Sequence, residues 1–332
     1  MTRGEGLNYS AQSSTVPVRP PAILFGPRFA TRPKGGDMAR GKSRTAQGRE
    51  GVEPQQNSET RESGHSGGAY GRVNGQMFTT EFLVEGIKDT PQWKAVPDAD
   101  VATFVNAART IFAQIPPGAR ENESVTEEHI IKPILGLLGW EDLLPQQNLS
   151  TWGREDVPDL LLFADGERLQ SARRKKQDFE RYPFGLAIEE SKRWELPLDR
   201  ADPTIPDPRA PSSQMLWYMR RAAVISNHQV RWGMLSNGRL WRLYWSDARS
   251  IAEDFLEIDL AAIVDAPGIQ ASLFDVPLGL RGHFQKVFYV LFRKDAFQKQ
   301  SHGQENLTYH EFALREGRDW ERRVADDLGR VV

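Results

Sequence analysis

The stretch FGLAIEESK, residues 184–192, opens as a short apolar run and closes on three charged residues and a serine. An apolar run of this length, Phe184 to Ile188, predicts a strand buried on both faces. Side chains alternate along a strand, so Glu190 and Lys192 share one face while Glu189 and Ser191 take the other. A second run of the same kind, DLLLF at 159–163, follows Pro158 and predicts a neighbouring strand. Asp159, Glu190 and Lys192 would then gather at one edge of a sheet. Charge at the end of a buried strand is costly unless it is paired or used. Two plainer readings stand beside this one: Pro-Asp is ordinary turn chemistry, and Glu-x-Lys is a common surface pattern.

Working outward from these strands, the pattern alternates between helix and strand. Val101 to Ile115 has helical spacing and stops at Pro116-Pro117. Glu121 to Leu138 predicts a second helix with a stripe of Ile130, Ile131, Ile134, Leu135 and Leu138. Gly139 stops it, and Pro133 kinks it or starts a new turn. The charged stretch Glu167 to Arg181 predicts an exposed hairpin or loop, and residues 197–211 a proline-rich loop. Ser213 to Ser226 predicts a helix. Val230–Ser236 and Leu240–Trp245 flank Asn237-Gly238, a hairpin signal in which both turn residues would take positive φ. Ile251 to Leu260 continues as strand or short helix, and helices follow over His283–Phe297 and Tyr309–Val332. This order predicts an α/β fold with a mixed central sheet flanked by helices.

Composition narrows the function classes. The chain has 332 residues with 43 basic and 45 acidic groups, so any nucleic-acid surface must be a local patch. It has no cysteine, which excludes disulfides, zinc–thiolate sites and a cysteine nucleophile. Its apolar runs are well short of the ~18–20 residues that a membrane helix needs. No membrane partner is expected, and the expected location is the cytoplasm. Residues 1–76 carry 13 of the 28 glycines and 11 basic against 6 acidic groups. Such a Gly/Ser/Arg-rich segment cannot bury enough apolar surface to offset its ordering entropy, so it is expected to be a disordered leader. It reads as a basic tether, a dispensable leader, or sequence upstream of a start at Met77.

Two carboxylates on neighbouring strands can hold one hard cation through oxygen ligands. A lysine beside them can position a water or stabilise charge on a phosphate. Five blocks around these residues resemble the PD-(D/E)XK nuclease superfamily, RecB-like, and within it the N-terminal nuclease region of type IIG restriction–modification enzymes. They are Asn122-Glu123 through Pro133-Ile134-Leu135 and Leu138-Gly139-Trp140; Pro158-Asp159-Leu160-Leu161-Leu162; and Ile188-Glu189-Glu190-Ser191-Lys192. Gln214-Met215-Leu216-Trp217-Tyr218 and Trp232-Gly233-Met234-Leu235-Ser236-Asn237-Gly238, with Trp241 to Tyr244, complete the set. The resemblance covers about residues 118–262.

The resemblance implies a restriction-endonuclease-like fold, with a nuclease domain at 78–265 and a helical connector at 280–332. It implies Mg²⁺ held by Asp159 and Glu190, with Glu123 completing the acidic cluster and a backbone carbonyl from the Ile188–Glu189 side. Lys192 would orient the attacking water. Gln214 and Tyr218, four apart on one helix face, would steady Lys192 or a DNA phosphate; a plain packing stripe also explains that pair. Arg220, Arg221, Arg231, Arg239 and Arg242 line a DNA path or are simply solvated. The implied activity is Mg²⁺-dependent endonucleolytic cleavage of foreign DNA. The alternative is a catalytically silent DNA-binding or assembly module. No methyltransferase or DNA-specificity motif follows Asn306. The chain is therefore expected to be the front piece of a longer enzyme or a subunit that takes specificity from a methyltransferase or specificity partner.

Overall fold

A computed structural model describes residues 73–116, 118–151, 153, 156–201, 209–250, 252–268 and 278–331. All lie in one compact unit, Glu62–Val332. The chain enters by the short strand β1 (Val73–Asn74) and three helices, α1 (Thr80–Val84), α2 (Pro91–Ala95) and α3 (Asp98–Phe112). Helix α4 (Glu123–Thr126) passes through a π turn at Glu127–Ile131 into α5 (Lys132–Leu137). Strands β2 (Leu143–Pro145) and β3 (Leu160–Leu162) follow, then α6 (Gly166–Arg173) and a 3₁₀ segment at Asp178–Phe184. Strand β4 (Ala187–Ser191) leads through α7 (Pro211–Ile225) to β5 (Trp232–Ser236), β6 (Leu240–Trp245) and β7 (Phe255–Asp259). Helices α8 (Leu260–Ile263) and α9 (Leu278–Phe292), the hairpin β8 (Gln300–His302) with β9 (Glu305–Leu307), and α10 (Tyr309–Val331) end the chain.

Seven strands form one mixed sheet in the order β1-β7-β6-β5-β4-β3-β2. Only β4 and β5 run parallel, because α7 returns the chain to the starting edge between them. One face carries α3, α5 and α9, whose Phe104, Ile134 and Phe288 pack with Leu160, Leu162 and Trp241. The other carries α6, α7 and the 3₁₀ segment, which cover Leu161, Ile188 and Leu235. Gly233 lets α7 lie tight on the sheet: a Cβ there would stand 2.2 Å from Met215 Cε and 2.4 Å from Met219 Sδ.

Several expectations shift. Most of the leader, 1–72, lies outside the described residues, but residues 73–76 belong to the fold. Val73 pairs with Ile258, and the Gln76 amide donates to the Glu253 carbonyl at 3.2 Å. Two residues of edge strand leave no periodicity to read. Glu167–Arg181 is no hairpin. Leu169 and Ala172 bury one side of α6, and Asp165 caps it by accepting from the Arg168 amide at 2.8 Å. The strand predicted from Phe184 starts at Ala187, because Pro183 and Phe184 finish the 3₁₀ segment. At the β5–β6 turn only Gly238 takes positive φ, +83°. Asn237 acts instead through its side chain, whose Oδ1 accepts from the Arg239 and Leu240 amides at 3.1 and 2.7 Å. Helices do form in 280–332, and α9 is part of the same core as the sheet. No helix of the described residues is long and apolar enough to cross a membrane.

Candidate active site

The site forms where β3 begins and β4 ends. These strands are antiparallel with Leu160 opposite Glu189, so the next pair in register is Asp159 and Glu190. Backbone bonds lock the pair beyond the ladder. The Ser191 amide donates to Asp159 Oδ2 at 2.9 Å, and the Asp159 amide donates to Glu190 Oε2 at 3.3 Å. Lys192 Nζ donates to Glu190 Oε1 at 2.6 Å and stands 3.8 Å from Glu123 Oε2. Glu190 is 2% exposed and Lys192 5%, whereas the Glu123 carboxylate is open to solvent.

Alternation is obeyed. Glu189 lies on the opposite face from Glu190, fully buried, where its two carboxyl oxygens accept from Ser191 Oγ at 3.1 and 3.0 Å. Sequence reasoning placed Glu189 away from the site but did not anticipate a buried acid there.

The turn that follows is held on three sides. The Lys192 amide donates to the Ser236 carbonyl at 2.7 Å, continuing the parallel pairing past the last strand residue. The Trp194 amide donates to Thr126 Oγ1 at 2.9 Å, which ties the turn to α4 and places Glu123 above it. Asn237 Nδ2 donates to the Leu196 carbonyl at 2.8 Å. From the α7 side, Gln214 Nε2 donates to the Tyr218 hydroxyl at 2.9 Å. Tyr218 faces the same sheet surface as Glu190.

Burial and neighbouring charge set the protonation. Burial pushes the Asp159 carboxyl well above its usual range, and the Glu190 charge adds to this. Glu190 is raised by burial, with Lys192 opposing the rise. Burial alone would lower Lys192, but the carboxylates of Glu190, Glu123 and Asp159 more than reverse that and hold the ammonium charged. The Tyr218 hydroxyl is pushed up to about 12, chiefly by burial and then by Glu190. Tyr182 went unnoticed in the sequence. Its hydroxyl donates to the Gln147 carbonyl at 2.6 Å, and burial, Asp178, Tyr218 and Glu190 raise it. A lone Tyr-Pro ahead of a strand carries no signal of that role.

The donor set can be weighed against Mg²⁺. The ion keeps several waters and takes only one or two protein carboxylates at ~2.0–2.1 Å. Asp159 and Glu190 are the cross-strand neighbours that would supply those carboxylates; each has one oxygen on a backbone amide, and the second oxygen of Glu190 meets Lys192 Nζ at 2.6 Å. Glu123 is turned to Lys192, and among the described residues no three His, Asp or Glu side chains close on one point. Of the six residues expected here, Asp159, Glu190, Lys192 and Glu123 are thus brought together, and the Gln214–Tyr218 pair borders them. The arginines scatter. Arg242 is buried against Glu257 and Asp199, Arg239 pairs with Asp259 and Glu195, and Arg231 with Glu311. No family model, no curated protein and no solved structure matches this chain.

Proposed function

We propose that the chain is a Mg²⁺-dependent DNA endonuclease of the PD-(D/E)XK kind, the nuclease part of a type IIG-like restriction system with a restriction-endonuclease-like sheet. The reading is carried by one observation: Asp159, Glu190 and Lys192 meet at the ends of β3 and β4, with Lys192 Nζ 2.6 Å from Glu190 Oε1. When bound, Mg²⁺ supplies Lewis-acid stabilisation of charge on the scissile phosphate. Asp159 and Glu190 would hold it. Lys192, kept charged by three carboxylates, donates hydrogen bonds to the attacking water or to a phosphate oxygen and fixes its approach. Glu123, exposed and 3.8 Å from that ammonium, would accept a proton from the water. The Tyr218 hydroxyl, held by Gln214, stays protonated at neutral pH and borders the phosphate side of the site. Sequence choice would come from a methyltransferase or specificity partner, and the enzyme would act on foreign DNA in the cytoplasm.

The test is plasmid cleavage by the full chain with Mg²⁺ and with EDTA. Cleavage should require the metal. Asp159→Asn and Glu190→Gln should lower it by at least about 100-fold while duplex binding persists. Metal-independent cleavage, or full activity in both variants, would overturn the assignment. Binding without any cleavage would favour a silent DNA-binding module.

A further inference from the structure

Arg173, Arg174, Lys175 and Lys176 are four consecutive cations, all exposed, at the C-terminal end of α6. None of the four forms an ion pair with a carboxylate among the described residues. Cations in a last helical turn complement the helix dipole. That accounts for Arg173 and Arg174 but not for Lys175 and Lys176, which lie past the cap.

The fold brings this run to the active-site end of the sheet. β3 leads away from Asp159, and α6 carries the chain back by about 12 Å at 1.5 Å per residue. The next residues are then pinned there. The Asn148 amide donates to Asp178 Oδ2 at 3.3 Å, and Asn148 belongs to the segment that leads into Asp159. Arg181 is the brace. It donates to Asp178 Oδ1 at 2.8 Å, to the Lys175 carbonyl at 3.2 Å, and to Gln147 Oε1. Tyr182 then closes on the Gln147 carbonyl, within electrostatic reach of Tyr218 and Glu190. Lys176 is two residues from Asp178, so its Cα lies within about 7 Å of it. The backbone of the basic turn is thus fixed in place; Arg174 donates to Ser171 Oγ at 2.7 Å and Lys175 lies over Phe184, and neither contact neutralises a charge.

We propose that Arg173–Lys176 is a docking surface for the phosphate backbone of duplex DNA, beside the candidate active site; this rests on the nuclease reading above. The three Cα steps from Arg173 to Lys176 span at most about 11 Å, and duplex DNA carries one charge per ~1.7 Å of axis with both strands counted, so two or more of the four cations can face phosphates at once. Single-strand grooves add aromatic platforms on which bases stack. The turn itself has no aromatic residue; Phe179 and Phe184, which follow it, are each half-buried, and Phe184 carries Lys175 Nζ 5.4 Å from its centroid.

The experiment measures binding of the full chain to a 30-base-pair duplex without divalent ions, across a salt series. The comparison is wild type against R173Q/R174Q/K175Q/K176Q, which removes charge from an exposed surface while keeping long side chains; its melting temperature is checked first. Each lost phosphate contact lowers the slope of log K against log salt by about 0.9. The variant should bind at least about tenfold more weakly at low salt, with a slope lower by about 2–4. If the fourfold variant unfolds, the pair K175Q/K176Q is used, with an expected drop of about 1–2. A slope within about 0.5 of wild type overturns the proposal while Mg²⁺-dependent cleavage by wild type leaves the nuclease reading standing. A loss confined to single-stranded DNA also overturns it. A wild-type chain that neither binds nor cleaves duplex DNA removes both.

Discussion

Lys192 is the counter-ion of Glu190. Glu190 is 2% exposed and meets the ammonium at 2.6 Å, so Lys192→Met leaves a buried carboxyl without its cation. Breaking such a pair typically costs about 3–5 kcal/mol. The sign with pH follows from the group left behind. Lys192 now holds the Glu190 pKa down against burial. Without it that pKa climbs further above its unfolded value, and a raised carboxyl contributes stability below the unfolded pKa that is lost as pH rises through the folded one. Lys192→Met should therefore be more destabilising at pH 8 than at pH 5 in urea unfolding. A penalty that does not grow with pH would show that the carboxyl finds another partner. Glu189→Gln makes the contrast. It keeps the shape and a hydrogen bond to Ser191 on the far face of β4, so cleavage should stay within about threefold of wild type, a difference of under ~1 kcal/mol in barrier. A loss as deep as that of Glu190→Gln would mean that the register along Ile188–Lys192 is assigned one residue out.

At the scale of elements, the parts legible in the sequence are those with long periodicity or strong turn chemistry. Helices α3, α7 and α10, and the β5–β6 hairpin, lie within a few residues of where spacing puts them. The alternation that separates Glu189 from Glu190 was legible for the same reason. Other elements depend on partners remote in sequence. β1 exists because β7 offers it an unpaired edge, and β2 because β3 does. The predicted disturbance at Pro133 takes a specific form, a π turn at Glu127–Ile131 just ahead of it, since proline has no N–H to continue the α-helical bonds. Helix α10 shows a device no spacing reveals. His310 in its first turn is fully buried against Trp232 and Phe297, and its Nε2 meets the Leu291 carbonyl at 2.6 Å. Its Nδ1 has no partner. Burial lowers its pKa from 6.5 to about 4, offset in part by Leu291 and Glu311. Between those values the unfolded chain binds a proton that the folded chain refuses. The contribution is therefore complete above about pH 6.5 and is lost as pH falls toward 4, about 3 kcal/mol in all. His310→Phe strands the Leu291 carbonyl and should lower stability at pH 7, yet flatten the pH dependence from 6.5 to 4 in denaturant titrations. An unchanged slope would assign the acid sensitivity to other groups.

For the whole molecule, the question is whether the segment after 265 is a connector or part of the folding unit. Its helix pattern was legible, but its role was not, because an apolar stripe does not say which surface it covers. In the structure Phe284, Val287, Phe288, Leu291 and Phe292 of α9 are all fully buried. Phe288 stacks on Phe104 of α3 with centroids 5.7 Å apart and meets Trp241 of β6 edge-on at 5.9 Å. Trp140 Nε1 donates to the Phe292 carbonyl at 3.0 Å, and the Lys294 amide to the Leu138 carbonyl at 2.9 Å, so the end of α5 leans on the end of α9. Each large apolar side chain buried is worth about 1.5–3 kcal/mol. The five together contribute on the order of 8–15 kcal/mol, as much as the ~5–15 kcal/mol net stability of an ordinary domain. Their removal would expose one face of the sheet and of α3 and α5, the helix that follows α4 and Glu123. A chain ended after Gly268 should therefore show no cooperative thermal transition, should bind hydrophobic dye, and should not cleave DNA. If the shortened chain instead melted cooperatively within a few degrees of the full one, the sheet with its helices would be self-sufficient and the C-terminal segment a separable connector.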